Sequence, residues 1–291
     1  MSQKIVTDFS DYVFRCHYLG LLMGKGQGKS YKQQYDEAVA SKDKKFERYA
    51  TMNKETITAE KLLEEIGELD ERIEMLEGLK GLPHLSLTAK TKLAEIFTNE
   101  TTGRTRDIEN KYIEKGLLLE EDAITQYSLL TNRFFKKNKI TENNGFIRGE
   151  LDFPEDDWVN DTKVSWDIFT FDATAAKKIN PIYDWQQQGY MWLFNKKNAR
   201  LIYSLHNTPE HLIVQEEKRM TYKVQSEEDY KIACAEIRKN HIYNDLPIER
   251  KIRVYEIKRD DDKIDQIKQQ IPHLRTYLNN MLNHKQDETE D

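Results

Sequence analysis

The order of elements readable in the sequence predicts a mixed α/β fold: a mixed β-sheet flanked by helices, with a helical insertion near the N-terminus. Three observations carry this. A helix-prone stretch at 115–127 is followed by a hairpin at 146–165, a helix at 184–192 and a strand at 199–205. Both arms of the hairpin are rich in β-branched and aromatic residues, and Pro154-Glu155-Asp156-Asp157 between them supplies turn chemistry. Upstream, Leu62, Ile66, Leu69, Ile73 and Leu76 are spaced four, three, four and three, a heptad seam over roughly two turns of supercoil. That is too short for a coiled-coil dimer and suits a helical hairpin or arm.

In order, the chain divides into an opening segment at 1–30, the helical insertion at 31–84, a sheet-bearing core at 85–282 and an acidic tail at 283–291 that is expected to be disordered. The aromatic and apolar run at 9–24 reads first as core packing. Gly24-Lys25-Gly26-Gln27-Gly28-Lys29-Ser30 has the look of a phosphate-binding loop, but such a loop needs four residues between its glycines and only three separate Gly24 from Gly28. It reads as a flexible basic loop. Gly81 and Pro83 mark the exit of the insertion, ahead of a helix at 87–97. Residues 215–240 read as mainly helical, 250–258 as a strand, and 264–282 as a closing helix interrupted at Pro272.

With 291 residues, 38% hydrophobic and 10% aromatic, the chain can bury a real core. No apolar run approaches a membrane span and no basic-then-apolar leader opens the sequence, so a cytoplasmic protein is expected. A net charge of -6 does not advertise nucleic-acid binding, although phosphate contacts depend on local patches rather than on the total. Such patches exist at Arg104 and Arg106, at Arg133, Lys136, Lys137 and Lys139, and at Lys177, Lys178, Lys196, Lys197 and Arg200. Each reads first as a solvated face and second as a phosphate contact. Cys16 and Cys234 are two isolated thiols, too few for the four ligands of an iron–sulfur cluster.

The chemistry concentrates in the hairpin. Side chains alternate along a strand, so Asp161 and Lys163 project to the same side, with Asp152 arriving from the neighbouring strand. Phosphodiester cleavage needs a divalent cation to neutralise charge on phosphate oxygens, and hard cations such as Mg²⁺ take carboxylates and water. Asp152 and Asp161 suit that need. A lysine beside them can orient the attacking water or help deprotonate it.

Gly149-x-x-Asp152 followed by Asp161-x-Lys163 resembles the PD-(D/E)XK nuclease superfamily. Two flanking elements narrow the resemblance to its phage-type exonucleases, the lambda exonuclease and YqaJ-like kind. Gly116-x-x-x-Glu120-x-x-Ala123-x-x-x-Tyr127 is similar to the helix that leads into their core sheet, and Gln186-x-x-x-Tyr190, containing Gln188-Gly189-Tyr190-Met191, is similar to a second helix of the group. Residues 9–24 also resemble their opening segment, where His17 stands at a position that relatives often give to serine.

The resemblance implies a restriction-endonuclease-like core. It implies Mg²⁺ or Mn²⁺ held by Glu120, Asp152, Asp161 and the Thr162 carbonyl, with Lys163, Gln186 and Tyr190 in the catalytic set. It further implies digestion of linear duplex DNA from a 5′ end during recombination, beside a single-strand annealing protein and as a homo-oligomeric ring. An endonuclease of the same fold, or a non-catalytic DNA-binding or assembly protein working through the helical arm, are the alternatives.

Overall fold

In the computed structural model, which describes residues 6–81, 84–106, 110–175 and 178–290, with side chains as far as Asn283, the chain forms two compact units. Met1–Ser10, Leu21–Thr102 and Gln269–Asp291 make the first; Asp11–Gly20 and Gly103–Lys268 make the second.

In chain order the second unit opens with β1 (Phe14–Arg15), a 3₁₀ turn (Cys16–Tyr18) and the start of α1 (Leu19–Leu22). The first unit follows with α2 (Tyr31–Thr51), α3 (Ile57–Leu79) and α4 (Leu87–Thr102). Ser30 starts α2 by a reciprocal cap: its hydroxyl accepts from the Gln33 N–H and the Gln33 side chain accepts from the Ser30 N–H. Helices α2 and α3 form the expected hairpin, on whose seam Leu62, Ile66 and Leu76 are buried. The loop read as flexible and basic is tied down. Lys25 bridges to Leu85, and the Gly26 N–H donates to the His84 carbonyl at 2.8 Å. A Cβ at residue 26 would lie 2.7 Å from that carbonyl, so glycine is required there. Pro83, proposed as the exit of the insertion, lies outside the described residues.

The second unit holds two sheets. Strands β1, β3 (Ile147–Gly149) and β2 (Glu142–Asn143) form a three-stranded sheet in the order β1-β3-β2. The other sheet has the order β4-β5-β6-β7, from β4 (Phe153–Glu155), β5 (Trp158–Ser165), β6 (Asn198–Leu205) and β7 (Ile252–Lys258). The pairs β4–β5 and β6–β7 are antiparallel, whereas β5 and β6 run parallel, with Asp161 opposite Leu201 and Lys163 opposite Tyr203. A parallel pair needs a long crossover, supplied here by α7 (Ile168–Ala173) and α8 (Pro181–Leu193). The sheet is mixed, as the sequence predicts. Helices α5 (Lys111–Leu118) and α6 (Glu120–Thr131) precede it, and α6 packs Ile124 and Tyr127 onto Phe153, Ile202 and Ile252. Helices α9 (Glu210–Met220) and α10 (Glu227–His241) lie between β6 and β7, and α11 (Asp261–Glu290) closes the chain.

Several expectations are corrected. The arm expected at 146–153 is not one strand: β3 belongs to one sheet and β4 to the other, with Asp152 in the link. The helix expected at 115–127 breaks at Leu119, which leaves Glu120 as the first residue of α6. Pro272 lies inside α11 without ending it. Helix α4 belongs to the first unit rather than to the sheet-bearing core.

Candidate active site

β5 carries Asp161 and Lys163 on one side, and their side chains meet: the Lys163 ammonium donates to Asp161 Oδ1 at 3.0 Å and lies 2.8 Å from Oδ2. Asp161 is buried, and its Oδ2 makes no hydrogen bond of good geometry. Asp152 is docked onto the same strand from the link before β4. Its N–H donates to the Asn160 carbonyl at 3.1 Å, and its Oδ2 accepts from both the Thr162 N–H and the Thr162 hydroxyl at 2.5 Å. One Asp152 oxygen is thereby held and the other is left for the cavity. Gly149 packs tightly against α8, where a Cβ would lie 2.7 Å from the Tyr190 ring.

Helix α8 forms the opposite wall. Asn180 caps it and Pro181 occupies its first turn, where a missing N–H costs nothing. Gln186 and Tyr190, four apart, then share the face turned to Asp161, whose Oδ1 has a long 3.5 Å contact with the Gln186 amide. Tyr183, one turn earlier, places its ring 5.3 Å from the Lys163 ammonium. Glu120 stands at the start of α6, with Lys137 3.2 Å from its carboxylate.

Glu120, Asp152, Asp161, Thr162, Lys163, Gln186 and Tyr190 therefore line one cavity of about 620 Å³. His17 lines it as well, together with Tyr112, Trp166, Tyr183 and Tyr203, none of the four singled out in the sequence. The i,i+3 spacing of Tyr183 before Gln186 is a signal that could have found it. Arg15 and Arg148 line an adjoining cavity of about 380 Å³ that shares His17 and Tyr190. By contrast, two arginines proposed for phosphate are engaged elsewhere. Arg133 and Arg200 each bind Glu155 at 2.6 Å, and Arg200 stacks on Trp158 at 3.7 Å. Lys177 lies outside the described residues.

The electrostatics follow from two carboxylates in a dry wall. Burial, and then the neighbouring Asp161, push the Asp152 carboxyl up to about 7, with Lys163 and the Thr162 hydrogen bonds pulling the other way. Burial alone would lower the Lys163 pKa, but Asp161 and Asp152 outweigh it and hold the ammonium above its ordinary value. Burial, followed by Asp161, likewise raises the Tyr190 phenol.

Among the described residues, no group of three or more His, Cys, Asp or Glu side chains is gathered closely enough to form a metal cage. The donor set is smaller: two adjacent carboxylates, with an Asp161 oxygen that makes no hydrogen bond and has the Lys163 ammonium beside it, and with burial and the Asp161 charge raising Asp152. That set fits a hard divalent cation of the Mg²⁺ kind, which takes one or two carboxylates and fills its remaining positions with water and substrate phosphate.

No protein-family profile and no curated protein matches the chain. Its fold does have solved neighbours. A phage-related exonuclease from Haemophilus somnus 129PT superposes with a TM-score of 0.61 at 25% identity, over 94% of this chain and 96% of that one. An alkaline exonuclease from Laribacter hongkongensis superposes at 0.50 and 14% identity, over 70% of this chain and 86% of the other. The second likeness is one of fold alone. The architecture is shared with these two exonucleases, consistent with the phage-type PD-(D/E)XK resemblance of the motifs. No helix among the described residues is long and apolar enough to cross a membrane.

Proposed function

We propose that the protein is a metal-dependent deoxyribonuclease, an exonuclease that digests linear duplex DNA from a 5′ end. The observation that carries this reading is the meeting of Asp152, Asp161 and Lys163 in one cavity that Glu120, Gln186 and Tyr190 also line. A bound Mg²⁺ or Mn²⁺ would neutralise charge on the scissile phosphate and make a water acidic enough to attack it. Asp152 and Asp161 would hold it, with Glu120 and the Thr162 carbonyl as the remaining protein donors.

The chain's own residues do the rest. Thr162 fixes one Asp152 oxygen, so the other keeps its direction. Lys163, held charged by the two carboxylates, serves as a donor that orients the attacking water or a phosphate oxygen, rather than as a base. Gln186 steadies Asp161, and the Tyr190 phenol, kept protonated, is a second donor at the same wall. The resemblance also supports action in recombination beside a single-strand annealing protein, as a homo-oligomeric ring.

The test is digestion of end-labelled linear duplex beside closed circular duplex, with Mg²⁺, with chelator, and with Lys163→Ala in parallel. Metal-dependent loss of the linear form alone, abolished in the variant, is the expected result. Cutting of both forms would make the protein an endonuclease; cutting of neither, without Mn²⁺ binding, would leave a non-catalytic DNA-binding role.

A further inference from the structure

Lys115 is 1% exposed, which for an ammonium group demands an explanation. Its three N–H donors are all used: on the Trp166 carbonyl at 2.7 Å, the His206 carbonyl at 2.9 Å and the Thr208 hydroxyl at 2.9 Å. Thr208 is itself 2.9 Å from His241 Nδ1. No acceptor is a carboxylate. Burying a cation on neutral oxygens is unfavourable, and an apolar side chain would pack α5 without that penalty. Burial accordingly pushes the Lys115 pKa down to about 7, with Asp167 opposing.

The acceptors explain where that cost is applied. Trp166 follows the last residue of β5, and His206 follows the last residue of β6. One ammonium thus bolts α5 to the C-terminal ends of the two parallel strands. Tyr112, Ile113, Gly116 and Leu117 of α5 form one wall of the active-site cavity, and Asp161 and Lys163 of β5, with Trp166 just beyond its end, form another. Glu120 begins the next helix, five residues on.

We propose that Lys115 is a positioning residue for the nuclease site: its three-way hydrogen bonding sets α5, and the start of α6 that carries Glu120, at a defined distance from the strand that carries Asp161 and Lys163. This rests on the nuclease reading. It assigns work to the residue before Gly116, which neither the motif nor the cavity lining includes.

The experiment compares wild type, Lys115→Met and Thr208→Val on linear duplex with Mg²⁺, with hydrogen exchange of the same proteins read by peptide. Displacing a wall by about an ångström lowers turnover roughly 10–100-fold. Lys115→Met is expected to lose that much kcat with KM within about threefold, and to speed exchange in peptides covering 111–121 while α9 and α10 keep their protection. Thr208→Val, missing one acceptor, should shift both readouts in the same direction by less, and it decides the matter should Lys115→Met not fold. Wild-type kcat in the variants, or a loss matched by uniformly faster exchange across the second unit, overturns the proposal while the nuclease reading stands. An inactive wild type overturns the nuclease reading first, and the proposal with it.

Discussion

The helical hairpin and the active-site cavity use the same charged side chains to opposite ends. Along the hairpin, Lys45 pairs with Glu65 and Lys42 with Asp70 across the two helices, and the acid of each pair is about half exposed. In the cavity Lys163 pairs with an Asp161 whose side chain is 5% exposed, with Asp152 close by. Water screens the first set, so each pair contributes little and any one of them is dispensable. The second set is desolvated and repulsive, a state worth maintaining only where something must bind it. Charge pairing therefore locates nothing by itself in this chain, in which a third of the residues are charged; burial of unlike and like charges together does.

The sharpest way to break the comparison is to remove one acid from each region at constant volume. Asp161→Asn is expected to lower DNA cleavage by roughly a thousandfold or more, since it takes away one of the two carboxylates that would hold the cation. Its melting transition should stay cooperative, because the lost pair with Lys163 is offset by relief of repulsion on Asp152. Glu65→Gln should change neither the cleavage rate nor the melting temperature measurably. Comparable activity losses in the two variants would mean that the cavity is not the active site.

Much of this contrast is legible in the sequence, and the failures are instructive. Alternation in 158–165 and the spacing of Gln186 and Tyr190 report β5 and the site face of α8 because both depend on local periodicity alone. The division of 146–153 between two sheets does not show, since β3 takes its parallel partner from β1, far earlier in the chain, while β4 pairs with β5. The break at Leu119 is hidden by good helix formers on both sides, whose propensity the packing overrides. Arg133 and Arg200 read as solvated cations because their partner Glu155, at the end of β4, is far from both in sequence. Lys115 carries no signal of its own in the sequence, because burial is a property of the fold.

A second contrast lies within the hairpin. Ile66 is 6% exposed on the seam, whereas Leu63, three residues earlier on the same helix, is 51% exposed. Ile66→Ala removes buried methyl groups and leaves a cavity, so it should destabilise the first unit by about 2–4 kcal/mol in urea unfolding. Leu63→Ala should stay within about 0.5 kcal/mol, as an exposed position does. Equal effects would place Leu63 in an apolar contact of its own and remove the heptad seam as the basis of the hairpin.

The smallest expected effect concerns Lys115, and its sign is fixed by linkage. With a folded pKa pushed down to about 7 from an ordinary value near 10.5, the folded protein gives up that proton at lower pH than the unfolded chain does. Between these two values the unfolded state binds more protons, so stability rises with pH across that window and carries the whole burial cost below it. His206, pushed down to about 4 by burial and by Lys115 and Lys251, titrates below the window, and the Tyr243 phenol, raised by burial, titrates above it. From pH 7 to 9.5 the wild-type melting temperature should therefore climb by a few degrees relative to Lys115→Met, with the difference between the two closing at acid pH no further than its value at pH 7. A difference that stays flat from pH 7 to 9.5 would mean that the Trp166, His206 and Thr208 oxygens keep the ammonium charged throughout; the cavity wall would then be held by a permanent cation, more deeply buried than Lys163 and satisfied by neutral oxygens alone.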